Sequence, residues 1–69
     1  MAYSSSYVDG AGNWIHILFV GDAEKAYPVG GLVYDGSIEA KDFDNPPEGA
    51  CAMSAEECLK FLKRNRYGW

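Results

Sequence analysis

The chain has 69 residues, of which 48% are hydrophobic and 14% aromatic. That is enough for one small ordered core. A chain this short buries only about 60% of its unfolded surface, which excludes a large enclosed ligand cavity. The formal net charge is −4, and all ten carboxylates precede residue 60, opposed there only by Lys25 and Lys41. Phosphate binding is electrostatic, so this distribution disfavours direct nucleic-acid binding over most of the surface.

The first ten residues, MAYSSSYVDG, contain no Lys or Arg and no long apolar run, so no secretory leader is expected. The longest apolar stretch, Ile17-Leu18-Phe19-Val20, is far too short to span a bilayer. The expected location is therefore cytoplasmic, where Cys51 and Cys58 remain reduced.

Residues 3–8 alternate Tyr3, Ser5 and Tyr7 with Ser4, Ser6 and Val8 and are expected to form an edge strand. Asp9-Gly10-Ala11-Gly12-Asn13 reads as a five-residue hairpin loop. Residues 14–20, WIHILFV, are the strongest strand. Ile15, Ile17 and Phe19 make the better core face. Trp14, His16, Leu18 and Val20 are unusually apolar for a solvent face, so that face is partly covered or forms a contact surface. Residues 21–25 read as a link, and the chain becomes extended again from Ala26, interrupted by Pro28.

A third strand is expected over about residues 29–34 and a fourth over about 37–43, joined by a type I′ turn at Asp35-Gly36. In that hairpin Val33, Ile38 and Ala40 share one face, and Leu32, Tyr34, Ser37, Glu39 and Lys41 the other. Residues 44–49, DNPPEG, are a stiff linker. Ser54 and Glu57 then match a capping box, with Met53 and Cys58 in the staple positions. The spacing predicts a helix over about residues 55–66, ended by Gly68, with an apolar stripe of Cys58, Leu59, Phe61 and Leu62. Trp69 is expected to fold back over a sheet edge. The fold class is α+β: a three- or four-stranded antiparallel sheet, one small domain, with one C-terminal helix packed on one face.

No catalytic residue, metal site or cofactor is expected. His16, the one histidine, reads as structural or surface. The spacing of Cys51 and Cys58 is unlike a close zinc-binding pair, and both read as free thiols. Asp42 and Asp44 lack an adjacent basic or phosphate-reading element. The glycines form no phosphate loop. What remains is a binding surface. Tyr and Trp are favoured at interface centres, and Tyr7, Trp14 and Tyr34 beside Asp35 and Glu39 would present an aromatic centre with an acidic rim. Such a surface suits a groove lined with lysine and arginine. An uncovered apolar sheet face would serve equally as a homodimer seam, and Lys60, Lys63, Arg64 and Arg66 leave a nucleic-acid module as a lesser alternative.

Asn13-Trp14-Ile15-His16-Ile17, then residues 32–44, LVYDGSIEAKDFD, and a following helix resemble the small anti-CRISPR inhibitors of the type I-F surveillance complex. The resemblance implies a small, acidic, phage-encoded sheet-plus-helix protein acting in the host cytoplasm. It implies direct binding to a bacterial ribonucleoprotein complex, blocking target DNA hybridisation. The side chains carrying this would be chosen from Tyr7, Tyr34, Glu39 and their neighbours. The alternative is a homo-oligomeric structural or accessory protein.

Overall fold

The computed structural model describes residues 1–22 and 24–69. The elements are β1 (Ala2–Val8), β2 (Trp14–Gly21), β3 (Ala26–Val33), a short 3₁₀ segment (Ala40–Phe43), β4 (Cys51–Met53) and α1 (Ala55–Arg64). The four strands form one antiparallel sheet in the order β1-β2-β3-β4, with α1 packed against it.

The β1–β2 hairpin is held by its loop chemistry. Asp9 Oδ1 accepts from the Ala11 and Asn13 backbone N–H groups at 2.9 Å each, and Oδ2 accepts from Asn13 Nδ2 at 3.2 Å. Gly12 supplies the positive φ of 86° that the loop requires. The register pairs Tyr3, Ser5 and Tyr7 with Phe19, Ile17 and Ile15, so these six share a face.

On that face Ile15, Ile17 and Phe19 pack with Cys58, Phe61 and Leu62 of α1, and Tyr7, Ala26, Val33 and Met53 close the margins. The expected capping box is present: Glu57 N–H donates to Ser54 Oγ at 3.1 Å, and Ser54 N–H donates to Glu57 Oε1 at 3.2 Å. Gly31 lets the helix approach β3. A Cβ there would lie 2.7 Å from Cys58 Sγ and 3.0 Å from the His16 carbonyl oxygen. Pro28 sits where β3 is open on one side, because β4 reaches only residues 31–33, and an edge accommodates a proline. Just beyond it the β2–β3 register shifts at Leu18/Phe19, which leaves Val29 as an extra residue on β3. In the expected link over residues 21–25, Ala23 lies outside the described residues.

The expected Asp35-Gly36 hairpin does not form. Neither residue has positive φ, which a type I′ turn demands of both. Residues 37–39 are not a strand, and Ala40–Phe43 is 3₁₀ rather than the end of a fourth strand. Both sides of residues 31–33 are already taken, by β2 and by β4. Cys51–Met53 wins that position, and Met53 thereby enters the core margin. Ile38 leaves the helix side of the sheet and lines a cleft over Ser6, Trp14 and His16. The 3₁₀ segment touches both β1 and β3, and Phe43 and Pro46 lie over Leu18 and Leu32. The connection between β3 and β4 thus covers much of the outer face, which explains the apolar character of Leu18 and the burial of Leu32.

The helix also stops earlier than its expected end. Arg66 N–H donates to the Lys63 carbonyl at 3.2 Å and Tyr67 N–H to the Leu62 carbonyl at 3.0 Å. Arg66 adopts the left-handed turn, φ 58°, in the position usually held by glycine. Trp69 does fold back, stacking on Phe19 at 5.6 Å, with Tyr3 stacked on the same ring at 5.3 Å. Among the described residues no helix is long and apolar enough to cross a membrane.

Candidate binding surface at the Trp14 end of the sheet

The first residue of β2 and the residues leaving β3 meet at one end of the sheet. Trp14 and Tyr34 are joined through the backbone, Tyr34 N–H donating to the Trp14 carbonyl at 3.2 Å. Trp14 is 43% exposed, with its indole stacked toward the His16 ring at 6.4 Å and 16°.

His16 is the anchor beneath. It is almost wholly buried. Its Nε2 lies 3.0 Å from the Tyr34 carbonyl oxygen, and Nδ1 lies 2.8 Å from Ser6 Oγ. A carbonyl only accepts, so Nε2 carries the hydrogen. In the neutral ring Nδ1 then accepts from the Ser6 hydroxyl. Both nitrogens are committed, and the imidazole ties β1, β2 and the exit of β3 together rather than offering a base to a substrate.

Two open clefts flank the indole. One, about 350 Å³, is lined by Ser6, Trp14, His16, Asp35, Gly36, Ser37 and Ile38. The other, about 330 Å³, is lined by Gly12, Asn13, Trp14, Val33, Tyr34, Asp35, Gly49 and Cys51. Trp14 and Asp35 line both. The ion pairs among the described residues are Lys41–Glu39 at 3.6 Å and Lys60–Glu56 at 3.5 Å, so the Asp35 carboxylate has no cation of its own. An exposed indole face next to such a carboxylate and two serine hydroxyls is suited to a guanidinium or ammonium group.

Of the five residues expected at a binding surface, Trp14, Tyr34 and Asp35 are brought together. Tyr7 is not. Its pairing with Ile15 places it on the helix side, where it packs on Phe61 and Tyr67 at 6.0 and 4.7 Å, and burial raises its phenol pKa. Glu39 also lies elsewhere. It caps the 3₁₀ segment, its N–H donating to Asp42 Oδ2 at 2.8 Å, and lines neither cleft. Glu39's misplacement follows from the unformed hairpin, which had set it on the face of Tyr34, whereas Tyr7's side is set by the β1–β2 register. Ser6, Ser37 and Ile38 were not singled out, and only the path of the β3–β4 connection brings the last two to Trp14.

The thiols differ. Cys58 is buried, and burial with the nearby Glu57 carboxylate pushes its pKa up to about 11. Cys51 is exposed at the cleft margin. Among the described residues no group of three His, Cys, Asp or Glu side chains could hold a metal ion. Comparison with protein-family models, curated proteins and solved structures finds no match to this chain.

Proposed function

We propose that this chain is a small inhibitor that acts by direct stoichiometric binding to a bacterial protein or ribonucleoprotein complex in the host cytoplasm. Its contact surface is the Trp14 end of the sheet. The observation that carries the reading is the shared lining of two adjoining clefts by Trp14 and Asp35, an exposed indole beside a carboxylate that pairs with no cation among the described residues. Tyr34 adds a second amphipathic ring at the margin. A net acidic surface steers this patch toward basic partners and away from bare nucleic acid. A groove whose lysines and arginines normally hold a nucleic-acid strand has the complementary chemistry. Occupying that groove would exclude the strand, so inhibition needs no catalysis.

The first complex to test is the type I-F surveillance complex, on the resemblance of residues 13–17 and 32–44. Purified complex is titrated with the protein, and target DNA binding is followed by gel shift. Wild type is expected to abolish DNA binding near equimolar ratio. Trp14→Ala/Asp35→Asn should raise the required concentration by at least about tenfold, as loss of an interface hot spot does. Undiminished DNA binding at saturating wild-type protein refutes the type I-F target. Equal inhibition by the double variant refutes the surface.

A further inference from the structure

The free edge of β1 is not used by the proposed binding surface. Among the described residues, β1 ends the sheet order and runs unpaired on its outer side over Ala2–Val8, AYSSSYV. It contains no charge and no proline, the usual means of blunting an exposed edge. The 3₁₀ segment touches β1, yet among the described residues no strand pairs with its outer side.

Which peptide groups face outward follows from the ladder. Gly21 N–H donates to the Met1 carbonyl at 2.9 Å and Asp9 N–H to the Asn13 carbonyl at 3.0 Å. These are bonded pairs at the two ends of the β1–β2 register. By antiparallel alternation, Tyr3, Ser5 and Tyr7 direct their peptide groups at β2, and Ala2, Ser4, Ser6 and Val8 direct theirs at the open edge.

We propose that this edge pairs antiparallel with β1 of a second copy, about a two-fold axis through Ser5, to form one continuous sheet across a homodimer. In that register Ser4 faces Ser6 of the second copy and Ala2 faces its Val8. Every outward peptide group finds a partner, at about two hydrogen bonds per bonded pair.

The strand is complementary to itself. Each chain carries a net −4, and β1 is a place where two copies meet without bringing charges together. On the helix side Tyr3 faces Tyr7 of the second copy, twice by symmetry, and aromatic cross-strand pairs are favourable. Tyr3 already stacks on Phe19 and Trp69, and Tyr7 packs on Tyr67. The dimer therefore merges two aromatic groups whose Tyr3, Tyr67 and Trp69 are otherwise 45%, 43% and 40% exposed. The closed two-fold pairing also consumes the edge in both copies, leaving β4, three residues long, at each end.

Sedimentation across a concentration series tests this. Wild type should move from the 7.6 kDa monomer to a dimer. Ser4→Pro removes an outward N–H without touching the β1–β2 ladder, and should weaken dimerisation by at least about tenfold with unchanged far-ultraviolet circular dichroism. In a Cys51→Ser background, Ser5→Cys sits on the axis in a non-bonded pair, where Cα atoms lie about 4.5 Å apart, within disulfide range. It should oxidise to a covalent dimer, and Ser4→Cys should not. A wild type that stays monomeric up to about 1 mM overturns the proposal. So does a dimer that persists in Ser4→Pro, or one in which Ser5→Cys fails to cross-link. If Ser4→Pro does not fold, the cysteine pair decides alone.

Discussion

Gly31→Ala, tested with and without Cys58→Ala, probes the approach of α1 to β3. The added methyl would lie 2.7 Å from Cys58 Sγ, about 1 Å inside an ordinary nonbonded contact. Cys58 is fully buried, so the sulfur cannot swing into solvent, and the helix must shift. Overpacking of this kind costs about 1–3 kcal/mol. For a domain of this size each kcal/mol lowers the thermal midpoint by about 4–8 °C. Cys58→Ala alone removes one buried group and leaves a small cavity, costing about 1–2 kcal/mol. In the double variant the new methyl enters the space the sulfur vacated. The combined loss should fall short of the sum by at least about 1 kcal/mol, well outside the additivity of independent sites. Recovery stays partial, because the His16 carbonyl remains 3.0 Å from the new Cβ. Urea denaturation followed by tryptophan fluorescence and circular dichroism measures the cycle. Additive losses would refute the close approach.

Arg66→Gly should stabilise the fold by about 0.5–1 kcal/mol in the same assay, because φ 58° burdens an arginine and not a glycine; a loss would mean the left-handed closure is absent. Cys51 should react with a thiol-specific disulfide reagent at the rate of a free exposed cysteine, with Cys58 reacting only on unfolding, since its pKa is pushed up to about 11; two equally fast thiols would contradict the core. Asp9 is held below the usual carboxylate range by the hydrogen bonds it accepts, led by the Asn13 N–H. A folded-state pKa lower than the unfolded one contributes stability that is present above the unfolded value, near pH 3.8, and is lost as pH falls through the folded value. Asp9→Asn should flatten that acid limb of the stability curve, and an unchanged limb would show the loop does not hold the carboxylate.

The proposed binding surface was half legible. Trp14 and Tyr34 stand out as large amphipathic rings at strand ends, and Asp35 as their acidic neighbour. The partners that shape the clefts do not, because Ser37 and Ile38 reach Trp14 only through a long connection whose path no local pattern records. Tyr7 was assigned the wrong side of the sheet, although period-2 alternation places Tyr3, Ser5 and Tyr7 together. Deciding which side that is required the register against Ile15, and a one-residue slip exchanges the two faces.

By itself the sequence determined the β1–β2 hairpin, the core face of β2, the capped amphipathic helix and the antiparallel sheet beneath it. These rest on interactions between residues close in the chain: the Asp9 side chain with its own loop, Ser54 with Glu57, and the alternation of Ile15, Ile17 and Phe19. Only the tertiary structure decided the fourth strand. Asp35-Gly36 has strong local turn chemistry, but the free side of β3 can accept one strand. Cys51–Met53 takes it because the same step seats α1 over Gly31 and brings Met53 to the core. That pairing joins residues about twenty apart, and its gain comes from burial shared among several elements, which outweighs a turn preference of order 1 kcal/mol.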